Sequence, residues 1–273
     1  MKHLLLIANI SIDNKRLLEY AADFCKHYEC KLHVLHINIH TDPVLVSSAY
    51  YYSKNNIDYD KHQTEQSAKK IATNISSILD QEFVSISIKK GNFEKILKTF
   101  INDNFIDLII IGNKDIDAET DFLDHKNILL NVVDVPLLVV PDLQVFSPYN
   151  TFNFLTNHTE KDIDDIIHLS KIFPNSKIRV SHNDAKDTEF GIRERNWEQY
   201  LSTKIPNRIE FNSFKESVEK HVRTENYSLI KMFDAFVFTA KKRNFWLRLI
   251  DPSTTLGYLA GLEIPCIIYK ISS

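Results

Sequence analysis

Short, continuous apolar runs alternate with longer amphipathic stretches along the whole chain. His3 to Ala8 is the first such run, and an apolar segment of that length predicts a strand buried on both faces, as in parallel sheets. From Lys15 to Tyr28, apolar residues recur at Leu17, Leu18, Ala21, Ala22, Phe24 and Cys25, the three-to-four spacing of an amphipathic helix. The pattern continues as strand at Lys31 to Ile39, helix at Gln63 to Leu79, strand at Val84 to Lys89 and helix at Phe93 to Asn102. Strand at Asp107 to Ile111, a short helix at Asp124 to Val132 and strand at Pro136 to Val140 complete the first half. Between His40 and Asp60 lies a long excursion carrying Tyr50, Tyr51 and Tyr52. Long connections in compact domains are commonly functional, and three adjacent rings suit either a partner contact or a small satellite core.

The second half says nearly the same thing again. Its strands are predicted at Phe152 to Leu155, Lys177 to Val180, Arg208 to Phe211, Ala235 to Thr239 and Pro265 to Lys270. Its helices are predicted at Glu160 to Ile172, Thr188 to Leu201, Lys215 to Lys231 and Ser253 to Leu262. The repeat is most legible in Ile106-Asp-Leu-Ile-Ile-Ile-Gly112 leading to Val135-Pro-Leu-Leu-Val-Val-Pro141, against Phe233-Asp-Ala-Phe-Val-Phe-Thr239 leading to Ile264-Pro-Cys-Ile-Ile-Tyr269. A period of half the chain means two homologous domains, because solenoid units are only ~20 to 50 residues long. The expected division is residues 1–142, a linker at 143–149, and residues 150–273. Alternating strand and helix predicts an α/β fold, a mostly parallel five-stranded sheet in each half with helices on both faces. Ligands of such sheets bind beyond the strand carboxyl ends, where strand order reverses, so the loops after Ala8 and Ile111 are the places to look.

Charge narrows the function classes. With 33 Lys+Arg against 36 Asp+Glu the formal charge is -3, and no global positive field exists for general nucleic-acid binding. Cys25, Cys30 and Cys266 lack zinc-ligand spacing, no apolar run reaches the ~18 to 20 residues of a membrane span, and the chain begins on a strand-like segment. These features point to a cytoplasmic protein with reduced thiols.

With both halves laid out, each resembles a universal stress protein domain, and the chain resembles the tandem members of that family. The match is most specific at Pro252-Ser-Thr-Thr-Leu-Gly-Tyr-Leu-Ala-Gly-Leu-Glu-Ile-Pro-Cys266, and in the first half at Asp124 to Pro141. The resemblance implies two tandem Rossmann-like, adenine nucleotide alpha hydrolase-like domains packed as a pseudo-dimer, with the final strands of the two halves paired. ATP-binding members of that family carry an Asp after the first strand and a Gly-x2-Gly-x9-Gly-Ser/Thr loop after the fourth. Glycines let backbone N–H groups approach phosphate oxygens, and the helix start behind them supplies a positive dipole end. Here Asn9 and Asn157 stand at the Asp positions. Gly112 is followed by Asn113 and then by Asp115 at the second glycine position; the third falls on Leu123 or His125. The second loop reads Thr239, Lys242 and Pro252, with Ser253 in the Ser/Thr slot.

The expectation is therefore a non-catalytic stress-response protein acting through a protein partner or a small ligand, its family-type ATP sites lost. The alternative is ATP, AMP or another small anion bound at loop 239–254, with slow ATP hydrolysis as its catalytic variant. Lys241, Lys242, Arg243 and Arg248 precede the Ser253-Thr254-Thr255 helix start, and cations with hydroxyls at a helix start can hold an anion without glycines. The candidate ligand-binding residues are Asn9, Gly112, Asn113, Asn157, Thr239, Lys242, Arg243, Ser253 and Thr254. No catalytic residue or metal is expected: no Gly-x-Ser-x-Gly elbow exists, and strand alternation turns His33 away from His36. Beyond the pseudo-dimer, a homodimer is compatible with the sequence.

Overall fold

The first apolar run forms β1 (His3–Ile7), and Leu4, Leu5 and Leu6 are all fully buried, as a strand covered on both faces requires. The computed structural model describes residues 1–7, 15–38, 66, 69, 71–73, 75–112, 134–141, 144–156, 160–183, 190–206, 208–214, 232–240 and 264–270. Helix α1 (Lys15–Tyr28) has the predicted bounds and buries Leu18, Tyr20, Ala21, Ala22, Phe24 and Cys25. It leads to β2 (Lys31–Asn38), a 3-10 turn at Gln81–Phe83, β3 (Val84–Lys90), α2 (Phe93–Asn104) and β4 (Leu108–Gly112). Gly91 joins β3 to α2 at φ 137, a backbone conformation that side chains with a Cβ rarely adopt. Asn92 then caps α2 by accepting the Lys95 N–H.

The chain continues through β5 (Leu137–Val140), β6 (Thr151–Thr156), α3 (Glu160–Ile172), β7 (Lys177–Asn183), α4 (Phe190–Lys204), β8 (Ile209–Phe214), β9 (Ala235–Ala240) and β10 (Cys266–Lys270). The helices expected at 124–132, 215–231 and 253–262, and the tyrosines at 50–52, lie outside the described residues.

Contacts divide the chain into two compact units, Lys2–Ile111 and Gly112–Ser273, the latter counted with Met1. In the first, the strands run β3-β2-β1-β4, all parallel, with Leu5 opposite both His33 and Ile109. In the second, parallel pairing gives β8-β7-β6-β9-β10, and β5 adds to β10 antiparallel with Ile267 opposite Leu138. The final strands of the two sequence repeats thus pair, as expected, and β5 falls with the second unit. Strand order reverses between β1 and β4 and again between β6 and β9. A triangle of rings, Tyr149, Phe152 and Phe173, with centroids 4.8 to 5.7 Å apart, anchors the second core.

The Asp that opens one strand of each repeat has the same task in both. Asp107 Oδ2 accepts the N–H groups of Lys2 (2.7 Å) and His3 (3.0 Å). Asp234 Oδ2 accepts those of Asn150 and Thr151, both at 2.8 Å, and the Thr151 hydroxyl at 3.0 Å. Each carboxylate fixes where the neighbouring strand begins.

Candidate functional site

Of the nine residues singled out from sequence, Gly112 and Thr239 are described; Asn9, Asn113, Asn157, Lys242, Arg243, Ser253 and Thr254 lie outside the described residues. Gly112 ends β4, and Thr239 is the penultimate residue of β9. Both stand at strand carboxyl ends, the side of such a sheet beyond which ligands bind.

Around Thr239 a polar cluster closes over the ends of β6, β9 and β10. Thr239 Oγ1 lies 2.7 Å from Asp162 Oδ1 and 3.1 Å from Asp165 Oδ2. Thr156, the last residue of β6, donates its hydroxyl to Asp162 Oδ2 at 2.7 Å. Asp162, Asp165 and His168 are spaced three apart on α3 and share one helical face. His168 Nδ1 sits 3.2 Å from the hydroxyl of Tyr269, whose backbone is the register partner of Thr239, with the rings edge to face. Three adjacent strands, β6, β9 and β10, therefore present hydroxyls to one acidic helix face. Thr156, Asp162 and Asp165 are buried, at 2%, 2% and 4% exposure.

A threonine has one proton to donate. Between two carboxylates it can satisfy one; the other must itself carry a proton to make a favourable contact. Burial pushes Asp165 up to about 6, against the pull of the Lys161 ammonium 3.1 Å away and of the Thr239 hydroxyl, and Asp162 adds to the rise. When Asp165 is protonated it donates to Thr239, and Thr239 donates to Asp162. Burial also lifts the Tyr269 phenol well above its ordinary value, with Asp165 contributing, which keeps it neutral. The arrangement holds negative charge and a shareable proton. It has the opposite sign to a phosphate cradle.

The sequence did not disclose this cluster through any motif. Its signal was a polar row, Asp162, Asp165 and His168, where an amphipathic helix turns inward, facing hydroxyls at strand ends. In the first unit α1 turns Leu18, Ala21, Ala22 and Cys25 inward, none of them charged. Among the described residues no three His, Cys, Asp or Glu side chains assemble into a metal site. His33 is instead paired with His3, Nε2 to Nδ1 at 3.0 Å. Cys266 is buried, and desolvation pushes its thiol up to about 12, leaving it a packing group.

No protein-family model matches the chain. It is 24% identical over 140 residues, 51% of this chain and 96% of the relative, to a universal stress protein A homolog of Pasteurella multocida. Its fold superposes over 99% of its length on 97% of a universal stress protein of Archaeoglobus fulgidus, with a TM-score of 0.68 and 13% identity. The chain has the fold of the universal stress proteins. The same universal stress protein architecture also matches the cytoplasmic domain of a prokaryotic cation chloride cotransporter, at a TM-score of 0.52 and 12% identity over 98% of this chain and 94% of that one. A universal stress protein fold therefore does not by itself fix an activity. Among the described residues no helix is long and apolar enough to cross a membrane.

Proposed function

We propose that this is a non-catalytic, cytoplasmic stress-response protein that works by binding a protein partner or a small ligand, its family-type ATP sites lost. Its two domains are those of the sequence repeat, residues 1–142 and 150–273. The observation that carries this reading is the commitment of Thr239 to Asp162 and Asp165. In the family the corresponding position is the first glycine of the phosphate loop. Here a hydroxyl replaces it, and two buried carboxylates crowd the place a triphosphate would approach. Like charges at such distances in a poorly solvated site are strongly unfavourable. Asn9 and Asn157 in place of the family Asp, and Asp115 in place of a glycine, support the same conclusion. Calorimetric titration of the full chain with ATP and with AMP is expected to give no saturable heat. Tight, stoichiometric ATP binding would refute the proposal.

A second reading rests on Lys241, Lys242, Arg243 and Arg248, which follow Thr239 within nine positions of sequence. On this reading the loop at 239–254 holds ATP, AMP or another small anion and shifts the acidic face aside. A ligand-dependent rise in melting temperature that disappears in the Lys242→Ala, Arg243→Ala double variant would favour it over the first, because a ligand held elsewhere leaves that rise intact.

A further inference from the structure

Helix α1 ends in a Schellman motif, and that motif brings two thiols together. Glu29 lies in the left-handed region at φ 50, and the Cys30 N–H donates to the Cys25 carbonyl at 3.0 Å. This is the six-to-one bond in which the second residue past the helix end reaches back to the third from its last turn. Those two positions usually share an apolar side-chain contact. Here both are cysteine, and their Sγ atoms are 3.1 Å apart, each residue almost fully buried.

We propose that Cys25 and Cys30 are a modification site, a thiol pair that hydrogen peroxide converts to a reversible disulfide. A disulfide is ~2.05 Å long, so the sulfurs need to close by only about 1 Å, and the cap already holds the backbones in register. Cys30 lies outside the helix beside exposed Glu29. The Cys30 sulfur attacks one peroxide oxygen, the S–O bond forms as the O–O bond breaks to give a sulfenic acid, and the proton given up by the Cys30 thiol goes to the departing hydroxide, which leaves as water. The Cys25 sulfur then displaces hydroxide from that sulfenic acid, and the thiol proton of Cys25 goes to the hydroxide to make a second water. In sum two thiols lose two protons and two electrons to one hydrogen peroxide, which becomes two waters. Burial and the Cys30 sulfur hold the Cys25 thiol well above its ordinary value, which suits it to resolve and not to initiate. The product clips the end of α1 to the start of β2, so that this helix end can no longer fray.

Trypsin cuts after Arg16, Lys26 and Lys31, which places the two cysteines in separate peptides, Leu17 to Lys26 and His27 to Lys31. The full-length protein is treated with a modest excess of hydrogen peroxide, quenched in acid, alkylated under denaturing conditions and digested without reductant. Mass spectrometry is expected to find the two peptides joined, two hydrogens below their summed mass, and separated by dithiothreitol. Cys266 should be recovered alkylated in the same digest. In the Cys30→Ser variant the joined species should vanish and Cys25 should be recovered alkylated. Recovery of both wild-type thiols in alkylated form, separate oxygen addition to each peptide, or a link that forms only between two copies of the chain would overturn the proposal.

Discussion

Asp107 and Asp234 each gather the first N–H groups of a neighbouring strand on one carboxylate oxygen. Hydrogen bonds to charged groups contribute more than neutral ones, and removing the acceptor strands its donors. Asp234→Ala is expected to cost about 2 kcal/mol in urea unfolding, since three donors lose one acceptor. A midpoint unchanged from wild type would show that water replaces the carboxylate.

His33 and Asp165 set the pH response at the same scale, with opposite signs. Burial, His3 and Lys31 lower His33 from 6.5 to about 4, so between those values the unfolded chain binds more protons than the native one. Its contribution is complete above 6.5 and is lost as pH falls toward 4. Asp165, raised from 3.8 to about 6, binds its proton more tightly in the native state, and its contribution weakens as pH rises through that window. His33→Leu should therefore shrink the drop in melting temperature between pH 7 and pH 5. An unaltered drop would place the acid-sensitive group elsewhere. The His33 pairing with His3 was not legible in sequence, because 30 positions separate two residues that only β1–β2 pairing makes neighbours.

At the scale of elements, α1 and α3 were legible to the residue, since periodicity and chain direction agree in both. β7 was not. It runs on to Asn183, past the apolar segment, because Ser181, His182 and Asn183 are paired with Asn212, Ser213 and Phe214 of β8. Polar residues can extend a strand when a neighbour supplies the ladder, and no apolar pattern reports that. The end of α2 offers a local test. Phe105 closes it at φ 50 with its ring 79% exposed, so it bears the cost of a left-handed backbone without compensating burial. Phe105→Gly should stabilise the protein by about 1 kcal/mol, seen as a higher denaturation midpoint. A lower midpoint would mean that the ring is covered in solution.

For the whole molecule, the two sequence repeats share a strand plan and differ in what they place at the strand carboxyl ends. The second copy has an acidic lock; the described part of α1 in the first has an apolar face. If the carboxylates exclude anions, the Asp162→Asn, Asp165→Asn double variant keeps hydrogen-bonding groups facing the threonines while removing the charge. It should gain a melting-temperature rise with AMP that the wild type lacks. No gain would move the barrier from charge to shape.

Sequence alone determined the repeat and the α/β class, because both are written in local pattern; the pairing of the two final strands was expected only through the resemblance to universal stress proteins, and its antiparallel sense came from the structure. Only the tertiary structure decided which side chains meet. Thr156, Asp162, Asp165, Thr239 and Tyr269 are spread over more than a hundred positions, and two strand crossovers bring them to one place. Cys25 and Cys30 are five apart, yet their contact depends on one left-handed residue between helix and strand, a conformation that the sequence permits without announcing.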